Sequence, residues 1–172
     1  YKTNIVDKGY SEYIADSGFC NDRSLDIGDG VSTTAITYFR GYRRYVNHEP
    51  ILICLNASND LFTVENEDGN QALTYPIGLI TVDELMLGGL SDGYLNRLSY
   101  TYSSSHYWTM SPGYFSATNM SAREFNASSA GYAGNNSVTF TSGVRPVINL
   151  ASTVEIESGI GTANDPYVVK VA

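Results

Sequence analysis

Positive charge is scarce in this chain. Its 10 Lys and Arg stand against 18 Asp and Glu across 172 residues, a formal charge of -8 at pH 7. A phosphate backbone or an anionic leaflet is therefore repelled over most of the surface. This excludes nucleic acid as a partner and leaves a membrane reachable only through a segment outside the chain. No apolar run approaches the roughly 18 residues of a spanning helix. The 2 histidines are His48 and His106, and no Gly-x-Ser-x-Gly elbow surrounds any serine, so a nucleophilic triad lacks its local signature. The 2 cysteines, Cys20 and Cys54, have no further Cys or His at ligand spacing, which argues against zinc. Charged residues of either sign make up only 16%, below the usual quarter. Tyr, Ser, Asn, Thr and Gly carry the solubility instead, a habit common in exported proteins.

Several expectations follow for the chain as a whole. The length suits one domain, 1–172, able to bury roughly two-thirds of its unfolded surface. A start at Tyr1 reads as a processed piece whose export signal or anchor has been removed, which places the domain outside the cell or on its surface. In that setting Cys20 and Cys54 are either two buried thiols or a disulfide. With no metal partner in sight the disulfide is the favoured state, and it would stabilise the fold by about 2–4 kcal/mol. Acidic loops at Asp22, Asp26 and Asp29 and at Asp60, Glu65, Glu67 and Asp68 raise calcium as a candidate, but neither matches the helix-loop-helix calcium pattern. Solvated turns explain them, and neither a metal nor a cofactor is expected.

Along the chain, Ser11 to Ile14 reads as one or two helical turns. Thr37 to Arg40 and Pro50 to Leu55 are strand candidates, with Arg40, Arg43, Arg44 and His48 between them. Residues 56–70 form an acidic loop holding a short strand at Leu61 to Val64. Tyr75 to Ile80 reads as a buried strand. Thr81-Val82-Asp83-Glu84 is a capping box before Leu85, Met86 and Leu87, ended by Gly88-Gly89 in the left-handed cap. Short strands follow at Tyr107 to Met110, Val138 to Phe140, Val144 to Leu150 and Pro166 to Val169. The pattern is α+β, with two short helices and a loop-rich antiparallel sheet.

Between the framework segments Tyr75 to Ile80 and Gly143 to Leu150 lies a tract from Tyr94 to Tyr132 rich in Tyr, Ser, Asn and Gly. This is the composition of a recognition surface: Tyr offers rigid contact area with two torsions to freeze, and Ser, Gly and Asn adapt their hydrogen bonding. The 14 tyrosines cannot all be exposed anchors. Tyr100, Tyr102, His106, Tyr114 and Tyr132 are the candidate ligand-binding residues, being flanked by Ser, Gly, Thr or Ala. Trp108 is a sugar-stacking platform or a core residue, and its framework setting favours core. Arg145 reads as a structural arginine whose fork satisfies nearby carbonyls or a carboxylate.

Five segments in order, Phe19-Cys20-Asn21-Asp22-Arg23, Leu73 to Glu84, Tyr107-Trp108-Thr109-Met110-Ser111-Pro112, Gly143-Val144-Arg145-Pro146-Val147-Ile148-Asn149-Leu150 and Gly159 to Val169, resemble a family of exported domains from Gram-positive gut bacteria with a C-type-lectin-like fold. More distantly they resemble retroelement-diversified variable proteins and formylglycine-generating enzymes. The enzymes need a reactive cysteine pair near the carboxy-terminal framework, whereas Cys20 and Cys54 lie in the other half. The resemblance implies a non-enzymatic, surface-displayed adhesion domain that recognises a glycan or a host, phage or bacterial surface protein. Its structural rival is a pilin-like or filament head-domain.

Overall fold

The computed structural model describes residues 1–162 and 164–170. Its main sheet has five strands: β1 Leu25–Ile27, β2 Thr37–Phe39, β3 Tyr107–Ser116, β4 Ser121–Ala127 and β5 Ala133–Ser137. They lie side by side in chain order, every neighbouring pair antiparallel. Between β2 and β3 the chain makes a long excursion containing three helices: α1 Arg40–Asn47, α2 Ala57–Asp60 and α3 Val82–Leu87. Few and short helices with a mostly antiparallel sheet make the fold α+β.

Helix α1 was not foreshadowed by the Arg-rich pattern. It forms because Gly41 and Tyr45, one turn apart, are its two buried positions, which seats a thin apolar stripe on the sheet. The Tyr45 hydroxyl donates to the Ala133 carbonyl at 2.6 Å, and its ring stands edge-on to Phe125 at 4.9 Å. His48, at φ 57, ends the helix in the left-handed conformation. Helix α3 carries the expected capping box: the Glu84 amide donates to Thr81 Oγ1 at 3.1 Å, and the Thr81 amide donates to Glu84 Oε2 at 2.7 Å. Of the Gly88-Gly89 pair that ends the helix, Gly89 takes the left-handed conformation at φ 89 while Gly88 stays right-handed at φ -73. Val82 and Leu85 then join Tyr45, Leu90, Tyr107, Phe125, Ala127 and Ala133 in one apolar core.

The framework segments meet across large sequence distances. Gly78–Leu79 pairs with Pro146–Val147, Ile14–Ala15 with Asn149–Leu150, and Phe19–Cys20 with Leu61–Phe62. Gly78 is required by proximity: a β-carbon there would lie 2.4 Å from Phe19 Cγ. Val168–Val169 pairs with Ile156–Ser158, while Ala163 of the last motif lies outside the described residues. The acidic loop is clamped as well as solvated, since Asp16 accepts the Val64, Glu65 and Asn66 amides at 2.7–2.8 Å. Burial pushes the Asp16 carboxyl up, but those three donors outweigh it and hold it below its ordinary value.

Four expectations need correction. Pro50 to Leu55 is not a strand; the Ile51 amide donates to Asp83 Oδ1 at 3.1 Å instead of to a ladder, and Leu52 and Ile53 are each 74% exposed. Val138 to Phe140 is a turn rather than a strand: the last ladder pair is Arg123 opposite Ser137, and the Phe140 amide then donates back to the Ser137 carbonyl at 2.8 Å. Tyr75 to Ile80 forms a strand only at Gly78–Leu79 and is half-buried rather than buried, whereas the helical turn read at Ser11 is present as a 3-10 turn, Ser11–Tyr13, before Ile14 enters a ladder. Trp108 is half-buried, not core. Burial alternates residue by residue along β3, and that parity buries Tyr107 and leaves Trp108 edge-on to the exposed Phe140 at 6.3 Å.

Candidate functional site

After α3 the chain forms a surface loop, residues 91–106, whose backbone is held from several directions. Asn96 donates through its amide to Gly131 O at 2.7 Å and through Nδ2 to Gly89 O at 3.1 Å. Arg97 Nε donates to Ala130 O at 3.2 Å, and Ser99 Oγ to Gly88 O at 2.6 Å. Thr101 is buried, and its carbonyl accepts from the Tyr107 hydroxyl and from Arg145 Nη1. Arg145 also lies over the Tyr107 ring at 5.4 Å, the structural task expected of it. Large apolar side chains nevertheless point out of this pinned loop: Tyr94 is 72%, Leu95 67%, Leu98 97% and Tyr100 66% exposed. The backbone that carries them is already ordered, so contact with a partner costs mainly the rotamer freedom of the side chains themselves.

The five candidate ligand-binding residues divide into three places. Tyr100 stands on the exposed loop. Tyr102 and His106 are half-buried and converge on Ser129: the Tyr102 hydroxyl donates to its carbonyl at 3.4 Å, and His106 Nε2 is 3.2 Å from its Oγ. Tyr132 closes the same turn, its carbonyl accepting the Ser128 amide at 2.8 Å. Tyr114 belongs elsewhere, packed with Tyr38 and Tyr42 at 5.6 and 5.3 Å and under Arg123 at 5.4 Å. The Ser129–His106 contact has the outline of a nucleophile and base. His106 Nδ1, however, is buried and among the described residues has no hydrogen-bond partner, so the group that orients the ring in a triad is missing from them. Composition points to tyrosine and away from Leu95 and Leu98, because a leucine reads as core until its exposure is known.

A second feature lies beside the disulfide. Cys20 and Cys54 are bonded, and they form part of the wall of a cavity of about 470 Å³. At its inner end Arg44 from α1 meets two carboxylates far apart in sequence. Asp83 receives Arg44 Nε and Nη2, both at 2.7 Å, while Asp22 Oδ2 lies 2.7 Å from Nη1. The side chains of Arg44, Asp22 and Asp83 are 13%, 9% and 6% exposed. Burial alone would lower the Arg44 pKa, but hydrogen bonding and charge from Asp83 and then Asp22 raise it above its ordinary value. The guanidinium is thus a fixed cation. No local spacing announced this cluster, because its members sit in three different segments.

No family model, no curated protein and no solved structure matches the chain. Among the described residues no helix is long and apolar enough to cross a membrane.

Proposed function

We propose that this chain is a non-enzymatic, extracellular or surface-displayed binding domain of C-type-lectin-like fold that recognises a protein partner through its 91–106 loop. The observation that carries this is that one short loop exposes Tyr94, Leu95, Leu98 and Tyr100 while hydrogen bonds hold it to the rest of the fold. Several large apolar groups exposed on one loop mark an interaction surface, and tyrosine is a favoured anchor. The two leucines favour a protein over a glycan, since an aliphatic anchor gains most by entering an apolar pocket. The lectin-like reading draws on three of the segments that resemble that family, which are hydrogen-bonded neighbours here: Gly78–Leu79 with Pro146–Val147, Met110 with Ile80, and Trp108 with Gly143. The disulfide suits an oxidising compartment.

The test is an array of extracellular proteins and glycans probed with the intact chain and with Leu98→Asp and Tyr100→Ala. Each variant should lose about tenfold to thirtyfold in affinity for a protein hit, the scale of an interface hot spot. Both side chains are exposed, so the melting temperature should hold. Unchanged affinity in both variants would remove the loop from the interface, and hits confined to glycans would overturn the choice of partner. Concentration-dependent self-association abolished by Leu98→Asp would favour the filament-subunit alternative.

A further inference from the structure

A cation without a counter-ion stands on the main sheet, independent of the function proposed for the 91–106 loop. Arg23, Arg43, Arg44 and Lys170 each meet a carboxylate. Arg123 on β4 meets none among the described residues, although the chain holds 18 acidic side chains against 10 basic ones. Neutral groups fix its guanidinium instead: Nε donates to Asn135 Oδ1 at 2.7 Å, Nη2 donates to the Asn135 carbonyl at 2.8 Å, and the fork lies over the Tyr114 ring at 5.4 Å. Among the described residues Nη1 has no partner, and it reaches solvent.

The surface around it is tyrosine. Ladder register places Tyr38, Tyr114 and Arg123 in one row across β2, β3 and β4. Tyr42 from α1 stacks on Tyr38 at 4.7 Å and meets Tyr114 edge-on at 5.3 Å. The core tyrosines Tyr45 and Tyr107 donate their hydroxyls to backbone carbonyls. Those of Tyr38, Tyr42 and Tyr114 donate to no group among the described residues, and none is sealed from solvent. Burial raises the Tyr42 phenol, Tyr38, Tyr114 and Asp92 push it the same way, and Arg123 opposes them. All five groups therefore lie within electrostatic reach of one another. Asp92 also acts on Tyr45. The patch thus offers a fixed cationic donor, a separate acceptor in Asp92, and three hydroxyls that can serve as either.

These parts narrow the ligand. A bare carboxylate would leave the hydroxyls and the aromatic surface unused, and a neutral sugar would leave the cation unpaired. A polyanion is opposed by the formal charge of -8. One carboxylate feels mainly the nearest cation, because charges beyond about 8 Å are screened at physiological salt. We propose that Arg123, Tyr38, Tyr42 and Tyr114 form a binding site for a terminal uronic acid, a pyranose that carries one carboxylate. The carboxylate accepts from Arg123 Nη1, the ring hydroxyls exchange hydrogen bonds with the phenols, and the C–H surface of the sugar lies on the tyrosine rings.

The intact chain is titrated at pH 7, where carboxylic acids are ionised, in about 0.15 M salt. The probes are methyl β-glucuronide, methyl β-galacturonide, the amide of each, and Nα-acetyl-glutamic acid amide. NMR reports each titration through the backbone amides and the Arg123 Nε–H signal. At least one uronide should shift the signals of Tyr114, Arg123 and Asn135 saturably. Its amide has the same shape without the charge and should bind about tenfold more weakly or worse, the loss of one charge-assisted contact. Acetyl-glutamic acid amide has the charge without the sugar and should also bind about tenfold more weakly or worse. Arg123→Gln should weaken the uronide by about tenfold, and Tyr114→Phe, which removes one hydroxyl and keeps the ring, by about threefold. Should Arg123→Gln fail to fold, the acid-versus-amide comparison on the unaltered chain decides. The proposal is overturned by equal binding of acid and amide, by equal binding of the glutamic acid derivative, by equal binding to a folded Arg123→Gln, by shifts confined to other parts of the chain, or by no saturable shift from either uronide up to about 50 mM.

Discussion

Arg44 is the residue whose removal should cost most among the charged side chains. It is 13% exposed and pairs with both Asp22 and Asp83, which are 9% and 6% exposed. Arg44→Met keeps much of the stem and packing but strands two buried carboxylates, and breaking a buried pair in this way costs about 3–5 kcal/mol. At 172 residues each kcal/mol moves the melting temperature by about 2–4 °C, so a fall of roughly 6–20 °C is expected. Asp22→Asn should behave differently. It leaves Arg44 bidentate on Asp83, a neutral pair, and should cost less than about 1 kcal/mol. Thermal and urea denaturation of the two single variants and of Arg44→Met/Asp22→Asn make a cycle. The double variant should be less destabilised than Arg44→Met alone, because one stranded charge has been removed. An Arg44→Met variant within 1 kcal/mol or so of the parent would show the carboxylates to be hydrated. Equal losses for Arg44→Met and Asp22→Asn would refute the charge imbalance itself.

Two further outcomes are expected. Burial raises the Glu124 carboxyl from its ordinary 4.5 to about 7, and its cross-strand neighbours Pro112 and Asn136 supply no charge. The folded chain therefore holds this proton to higher pH than the unfolded chain, so the stability it confers is complete below about pH 4.5 and is lost as pH rises through 7. Glu124→Gln should remove that decline and raise stability at pH 8 by about 2–3 kcal/mol in urea titrations; the same pH slope in parent and variant would refute the assignment. Reduction of Cys20–Cys54 should lower stability by about 2–4 kcal/mol. Alkylation of the unfolded but unreduced chain should label neither cysteine, and two labelled thiols would disprove the bridge.

What the sequence determined by itself is what depends on neighbours in the chain or on elimination. The capping box at Thr81 and Glu84 was legible because its hydrogen bonds span three residues. The strand at Tyr107 was legible from a local run of strand-forming residues. The Cys20–Cys54 pair followed from having no other partner to choose. Arg145 was legible as structural from its place among apolar neighbours. The tertiary structure decided whatever depended on which surface met which. Helix α1 exists because Tyr45 reaches Ala133 and Phe125, contacts that no Arg-rich pattern can announce. Ladder parity decided that Tyr107 is core and Trp108 is not, since a single residue of register exchanges the two faces. Leu52, Ile53, Leu95 and Leu98 are chemically suited to a core, and only packing shows that they remain outside. Asp22, Arg44 and Asp83 became one cluster because the disulfide loop, α1 and α3 fold onto a common point. Charge interacts through space, and the order of residues along the chain carries no record of that distance.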